Sequence, residues 1–346
     1  MSRTQGPTRS PSPLTMLKRF IVGQPLSSHS ESQHRLPKRL ALAVFASDAL
    51  SSSAYATDEI MLVLLLAGSG AIEVGLPVAI AVAVVLAIVV TSYRQTVRAY
   101  PQGGGAYRVA KENLGEFPGL IAASALLIDY VLTVSVSIAA GIAAVGAAFP
   151  ESRDHKVALA LAILTLITAA NLRGLKESGK IFAVPTYGFM ISMAFMILVG
   201  LFQAVTGTTH NLPPEPVFEG TAPLTLFLVL RAFASGSTAL TGIEAISDGV
   251  PSFKRPEAKN AAFTLLVLAV CLTTLFLGIT FLAQVFHTDP RLIEHGETIP
   301  SQIARAVFGE GPIFYVLQAF TALILFLAAN TAYADFPRLA SILAHD

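Results

Sequence analysis

The stretch ASDALSSSAYATDE, Ala46 to Glu59, decides how this sequence folds, because it places acids and hydroxyls inside a long apolar segment. At about 1.5 Å rise per residue, that segment is long enough to cross roughly 30 Å of hydrocarbon as a helix. Asp48 would then carry a charge to a depth where charges cost several kcal/mol. A carboxylate at such a depth faces a cavity or the interior of a helix bundle, so it indicates a functional site.

The composition predicts an all-α, polytopic membrane protein. The 346 residues are 53% hydrophobic and 13% charged, whereas soluble domains are about 25% charged. Apolar runs predict eight membrane spans, at about 38–68, 75–99, 115–148, 156–172, 180–204, 224–250, 260–285 and 312–340. The segment ETIPSQIARAVFGE (297–310) is too short and polar to span, and we expect a helix lying across one mouth of the bundle. A net charge of +1 gives no indication of nucleic-acid binding, and a single cysteine excludes a disulfide framework.

The distribution of charge predicts the orientation and the division of the chain. Residues 1–37 are rich in Ser, Pro and Arg and are expected to form a disordered or interfacial cytoplasmic tail, while 38–346 form the transmembrane domain. With the N-terminus inside, 18 of the 23 lysines and arginines fall on the cytoplasmic side. The positive-inside rule therefore predicts a multi-pass plasma-membrane protein with a cytoplasmic N-terminus.

Spans one and six share a short pattern. FASDALSSSAY begins at Phe45 and FASGSTALTGIEA begins at Phe233, and five helices between two segments reverse the direction of the chain. That layout is typical of an inverted repeat whose corresponding helices break near the midplane and form the binding site. The two segments share only the three residues Phe-Ala-Ser, and chance explains that match as well as a repeat does. The hypothesis places breaks at Ser51–Ser53, where hydroxyls must satisfy backbone groups, and at STALT between Gly236 and Gly242.

Eight residues are candidates for a cation path. Asp48 and Tyr55 share a face of span one, and Thr241 and Glu244 follow the expected break in span six. In span three, an acid heads a stripe of hydroxyls at i, i+4 and i+8, and a tyrosine lies beside it. The members of that stripe and its neighbour are Asp129, Thr133, Ser137 and Tyr130.

Other polar residues receive weaker interpretations. We expect Asp58 and Glu59 at a solvated rim and Asp248 at a helix end, and we give Asp335 and Tyr333 equal weight as structural or functional residues. Nothing resembles a nucleophile with its base or a metal cluster, and the glycines of YPQGGGAYR lack the Lys-Ser/Thr of a phosphate loop. The sequence is therefore not expected to encode an enzyme.

Two motifs carry a family resemblance. YPQGGGAY (100–107) resembles the Pro-x-Gly-Gly-x-Tyr-type signature of the amino acid–polyamine–cation (APC) superfamily, and SDALSSSAYATDE (47–59) resembles the first helix of the KimA-type potassium importers. The resemblance implies the LeuT-like five-plus-five inverted-repeat fold and secondary active uptake of potassium coupled to protons, with no cofactor. It implies that the same eight residues form the cation site, with potassium at Asp48, Thr241 and Glu244.

The resemblance also shows a departure, because the family core has ten helices and this sequence ends just after the eighth. We expect a LeuT-like fold truncated after about eight helices, from a truncated product or a fragment of a longer gene. The expected partners are the lipid bilayer and a small inorganic cation, without nucleic acid, and a homodimer belongs to the hypothesis only for a full-length version. Two alternatives stay open: an amino acid permease of the same superfamily, and a sensor or assembly partner that transports nothing.

Overall fold

The structure is a computed structural model that describes residues 35–103, 105–172, 179–208 and 217–345. Nearly all of the expected tail, residues 1–34, lies outside these ranges. The helices, numbered in chain order, are α1 (Lys38–Phe45), α2 (Ser47–Ser52), α3 (Ala56–Leu64), α4 (Gly75–Ala99), α5 (Gly105–Leu114), α6 (Glu116–Ala148), α7 (Lys156–Leu172), α8 (Gly179–Thr206), α9 (Leu226–Gly236), α10 (Glu244–Asp248), α11 (Glu257–Val285), α12 (Ile299–Phe308) and α13 (Pro312–His345). Eight helical segments of the described part are long and apolar enough to cross a membrane, which confirms the predicted all-α, eight-span architecture.

Span one consists of α1, α2 and α3 and is broken at a turn formed by 53–55, slightly later than the predicted break at Ser51–Ser53, because Ser51 and Ser52 still belong to α2. The hydroxyls of Ser51, Ser52 and Ser53 each donate to the carbonyl three residues earlier, at 2.6 or 2.7 Å. These bonds satisfy carbonyls around the break without glycine, which is the role that the sequence predicted for the serines. The window around the break is the most enclosed of the eight spans, with 78% of its residues buried against 6% for the span at Pro150–Leu172.

Span six breaks beside the break in span one. After α9 the chain makes a short 3-10 turn, Thr241 is extended, and Gly242 has a φ of +75° before α10 begins. A Cβ on Gly242 would lie 2.6 Å from the backbone nitrogen of Ala49 and 2.7 Å from Cγ of Asp48. Only glycine therefore allows the unwound segment of span six to lie against α2 of span one.

The remaining helices enclose the two broken spans. α13 packs along α6, and α11 packs along α4 and α8. The α6–α13 contact is close because the ring of Phe326 rests on Gly141, where a Cβ would lie 2.5 Å from the nearest ring carbon. α7 lies at the edge of the bundle, and Ile167 is its one buried residue. The remaining helices thus surround span one, which has the largest buried share of the eight spans.

The short helix α12 covers the end of span one. The expected non-spanning helix is confirmed, but the expectation of a solvated rim is wrong for Asp58, which is 4% exposed. Its Oδ1 accepts a bond from the amide of Ile299, the first residue of α12, at 3.0 Å. A carboxylate placed there satisfies one of the free amides at the start of a helix. Asp58 is therefore a cap for α12, and Glu59 beside it is partly buried.

This cap gives a stability prediction. Asp58→Ala leaves the buried amide of Ile299 without a partner, and such an unsatisfied group costs about 1–3 kcal/mol. We expect a lower melting temperature in detergent for Asp58→Ala, whereas Asp58→Asn, which keeps a carbonyl acceptor, should melt near the wild-type temperature. Equal melting temperatures for the alanine variant and the wild type would show that the cap contributes nothing.

An ion-pair network ties α12 to the end of α6. Glu297 accepts from Arg153 at 3.1 Å and from Arg305 at 2.6 Å. The two arginines also donate to the carbonyls of Gly146 and Ala147, at 2.8 and 3.2 Å. We call the side of the bundle where span one begins the near side and the opposite side the far side. The far side is closed by α12 and this network.

Candidate cation site

A cavity of about 330 Å³ lies where α2 and the break in span six meet α4, α6 and α13. Its wall includes the extended residue Thr241 and the glycine that follows it, with Tyr93 from α4. No lysine, arginine or histidine is among its lining residues. Four carboxylates line it: Asp48, Asp129, Glu244 and Asp335. Acids in a low-dielectric wall attract a cation strongly, and of these four Asp335 is paired with Arg338, which lies outside the cavity wall.

Asp48 is the most enclosed of these acids. It is 6% exposed, and its Oδ1 is buried without a hydrogen-bond partner. Buried polar oxygens are almost always paired, and a buried charge without a partner is costly. The Asp48 side chain therefore requires a cation or a proton, and the cavity that it lines has space for either.

Thr241 and Tyr55 form a small network beside Asp48. The Thr241 hydroxyl donates to the carbonyl of Thr238 at 2.9 Å, and the Tyr55 side chain lies close to Thr241. Tyr55 is 5% exposed and is not among the lining residues of the cavity. Tyr55 is therefore a buried neighbour of Thr241 and does not reach the cavity itself.

Glu244, the first residue of α10, is held by the glycine motif after span two. The backbone amide of Ala106 donates to Glu244 Oε1 at 2.6 Å, and Tyr93 lines the same cavity as this carboxylate. Gly105 has a φ of +40°, and a Cβ there would collide with the carboxylates of Glu244 and Asp248. Gly105 of YPQGGGAY thus lets the backbone approach the acids of span six closely.

Only part of the polar stripe on span three, which is α6, reaches the cavity. Asp129 and Tyr130 line the wall, whereas Thr133 and Ser137 are buried farther along α6 and do not. Ser137 Oγ has no hydrogen-bond partner. Of the eight candidates, the structure brings five to the cavity and leaves Tyr55, Thr133 and Ser137 behind or beyond it. The five are Asp48, Asp129, Tyr130, Thr241 and Glu244.

Two lining residues with ionisable side chains were not among the eight candidates. Asp335 was given equal weight as a structural residue, yet it lines the cavity from α13. The criterion applied to Asp48, an acid within an apolar span, would also have selected Asp335. Tyr93 near the end of α4 carried no such signal, because tyrosines are common at the ends of spans.

A second cavity connects the site to the near side. It has a volume of about 620 Å³ and shares Leu126, Tyr130, Glu244 and Asp335 with the first. Its outer part is lined by exposed Arg338 and by residues of the loop and helix after span two. We call this second cavity the vestibule. The site therefore opens toward the near side and is covered by α12 on the far side.

Comparison with known proteins decides the family. A family model described as amino acid permease matches residues 40–346. The chain belongs to the amino acid permease family. This family lies within the predicted APC superfamily, and it is a family of permeases rather than of enzymes.

The relatives of this chain are named after different transported substrates. It is 48% identical over 332 residues to the potassium transporter KimA of Bacillus subtilis, covering 95% of the chain and 54% of the relative. It is 25% identical to the human Asc-type amino acid transporter 1, covering 78% and 52%, and 25% identical to the low-affinity putrescine importer PlaP of Escherichia coli, covering 74% and 56%. The chain thus spans about half the length of these relatives.

Proposed function

We propose that this chain is the ion-binding part of a proton-coupled potassium importer, with potassium bound by Asp48, Thr241 and Glu244. The observation that carries the proposal is the partnerless, buried Oδ1 of Asp48 in a cavity lined by acids and by no basic residue. The relative that is 48% identical is named a potassium transporter, which supports the same cargo.

The donor chemistry of the cavity favours a monovalent inorganic cation. Potassium sites replace the hydration shell with oxygens, and the break in span six places the hydroxyl residues Ser237 and Thr241 in the same wall as the acids. Within the ranges that the structure describes, no three His, Cys, Asp or Glu side chains are grouped as a metal centre. The acids line different parts of one wall, which suits an ion that moves along it better than a tightly held divalent or transition metal.

Glu244 is the proposed proton carrier. It lines both the cavity and the vestibule, so it can exchange a proton with water from the near side while Asp48 remains enclosed. Acids at this depth commonly carry protons in transporters. With Asp129 in the same wall, the site holds more negative charge than one potassium ion neutralises, and a proton on Glu244 would balance part of it.

The charge distribution supports an inward-facing arrangement. If the near side is cytoplasmic, as the positive-inside rule predicts, the vestibule opens to the cytoplasm and α12 closes the outer side. We propose that the structure represents the stage at which the ion is released inward. The plasma membrane is the corresponding location.

The break in span one gives no support to the amino acid permease alternative. Such a permease would use free amides of the unwound segment to bind the substrate carboxylate. Here the amides of Ser53, Ala54 and Tyr55 bond carbonyls three residues earlier, at 3.0–3.2 Å. An amino acid carboxylate would also approach Asp48, which repels it. The structure therefore favours a cation over an amino acid.

A ligand panel on the purified chain tests the proposal without requiring transport. A ligand that binds only the folded state stabilises it, by about 2.7 kcal/mol at 100 times its Kd. We expect potassium chloride to raise the melting temperature saturably at constant ionic strength, with N-methylglucamine chloride as the balancing salt. L-alanine and putrescine should have no effect. Stabilisation by alanine or putrescine instead of potassium would overturn the assignment.

A further inference from the structure

Asp335 occupies the junction between the enclosed cavity and the vestibule. It lines both spaces, as do Tyr130 and Glu244, and it enters from α13, a helix outside the two broken spans. It is close enough to Asp48 and Glu244 to interact with both charges. An ion leaving Asp48 for the near side must therefore pass this carboxylate.

The same carboxylate is paired with a cation of the protein. Nη1 of Arg338 donates to Asp335 Oδ1 at 2.7 Å, one helical turn away. Arg338 is 66% exposed and lines the vestibule but not the inner cavity. The bond uses Oδ1, which leaves Oδ2 for a second partner. Asp335 thus stands between a guanidinium on one side and the acid-lined site on the other.

The helix is locally loosened at this pair. Pro337 lies inside α13 and has no amide to bond the carbonyl of Tyr333, four residues earlier. A proline within a helix removes one hydrogen bond of the ladder and bends the axis. The segment that carries Asp335 and Arg338 can therefore shift more easily than the regular turns before it.

We propose that Asp335 is a release-side ligand for the transported cation and that Arg338 competes with the cation for it. This rests on the proposed function, and it assigns a binding residue on the eighth span that neither the repeat pattern nor the family resemblance indicated. A group of acids is not by itself evidence for a cation-binding site, so a second observation is needed. The independent observation is Asp48 Oδ1, a buried and partnerless oxygen in the wall of the same cavity.

Competition predicts opposite effects for the two members of the pair. Removing the Asp335 charge takes away attraction at the site, so Asp335→Asn should raise the Kd for potassium about tenfold. Removing the guanidinium frees Asp335 for the ion, so Arg338→Gln should lower the Kd about threefold. In the Asp335→Asn background, Arg338→Gln should change the Kd less than about twofold, because the shared target is absent.

The experiment measures Kd from the dependence of melting temperature on potassium for the purified chain. Glu116→Gln is the control for a change of charge, since Glu116 is exposed at the start of α6 and lines neither cavity. If Asp335→Asn does not fold, the direction of the Arg338→Gln effect decides by itself. A wild-type Kd for Asp335→Asn, or a raised Kd for Arg338→Gln, would overturn the role of Asp335 while potassium binding stands. Absence of potassium binding by the wild type would instead overturn the proposed function.

Discussion

Asp48→Asn is expected to abolish potassium binding by this chain, with an increase in Kd of about 100-fold or more. Removing one partner of a buried charge pair costs about 3–5 kcal/mol, and each 1.4 kcal/mol corresponds to about tenfold in affinity. Asp48 is the acid whose buried oxygen has no other partner, so the ion would lose its main counter-charge. The measurement is the potassium dependence of the melting temperature, which should disappear in the variant.

The matched control is Asp58→Asn. Asp58 is also a buried acid of span one, but it caps α12 and does not line the cavity. The Asp58→Asn variant should therefore bind potassium with the wild-type Kd. We also expect Asp48→Asn without potassium to melt at or above the wild-type temperature, because it removes a buried charge that lacks a partner. Retained potassium binding in Asp48→Asn would contradict the assignment of this residue.

Gly242→Ala is expected to have the second large effect, a loss of both stability and binding. Alanine in the left-handed region costs about 1–2 kcal/mol, and overpacking adds about 1–3 kcal/mol. The new Cβ would lie 2.6 Å from the backbone nitrogen of Ala49 and 2.7 Å from Cγ of Asp48, so the break in span six must move away from α2. We expect the free energy of unfolding to fall by roughly 2–5 kcal/mol, measured as a lower melting temperature.

Gly207→Ala separates strain from collision. Gly207 has a φ of +65°, and a Cβ there would have nothing within 4 Å. This control should show the backbone strain alone and should keep the wild-type affinity for potassium. If Gly242→Ala and Gly207→Ala lose the same stability and both keep potassium binding, the contact between Gly242 and α2 has no role in the site.

The spans and the breaks could be predicted because they depend on local chemistry. Apolar runs set the lengths of the helices, and the serines at 51–53 and the glycine at 242 satisfy or permit an interrupted helix wherever it lies. The short helix α12 was likewise predictable, since a polar segment of its length does not cross a membrane. These features need no knowledge of what packs against them.

The positions of single side chains depended on distant neighbours and could not be predicted. Asp58 is buried because Ile299, 241 residues later, begins a helix above it. The period of span three placed Asp129, Thr133 and Ser137 on one face, but the period does not say where a cavity ends along that face. Packing of α13 along α6 decides this, and it also brings Asp335 into the wall.

The most direct test is to locate the ion. A structure of this chain with thallium or rubidium in place of potassium would show an anomalous scattering peak at the bound cation. The account predicts a peak in the inner cavity, in contact with Asp48 Oδ1 and beside Thr241, between the breaks of spans one and six. A cavity without a peak at saturating cation, or a peak confined to the vestibule surface, would contradict it.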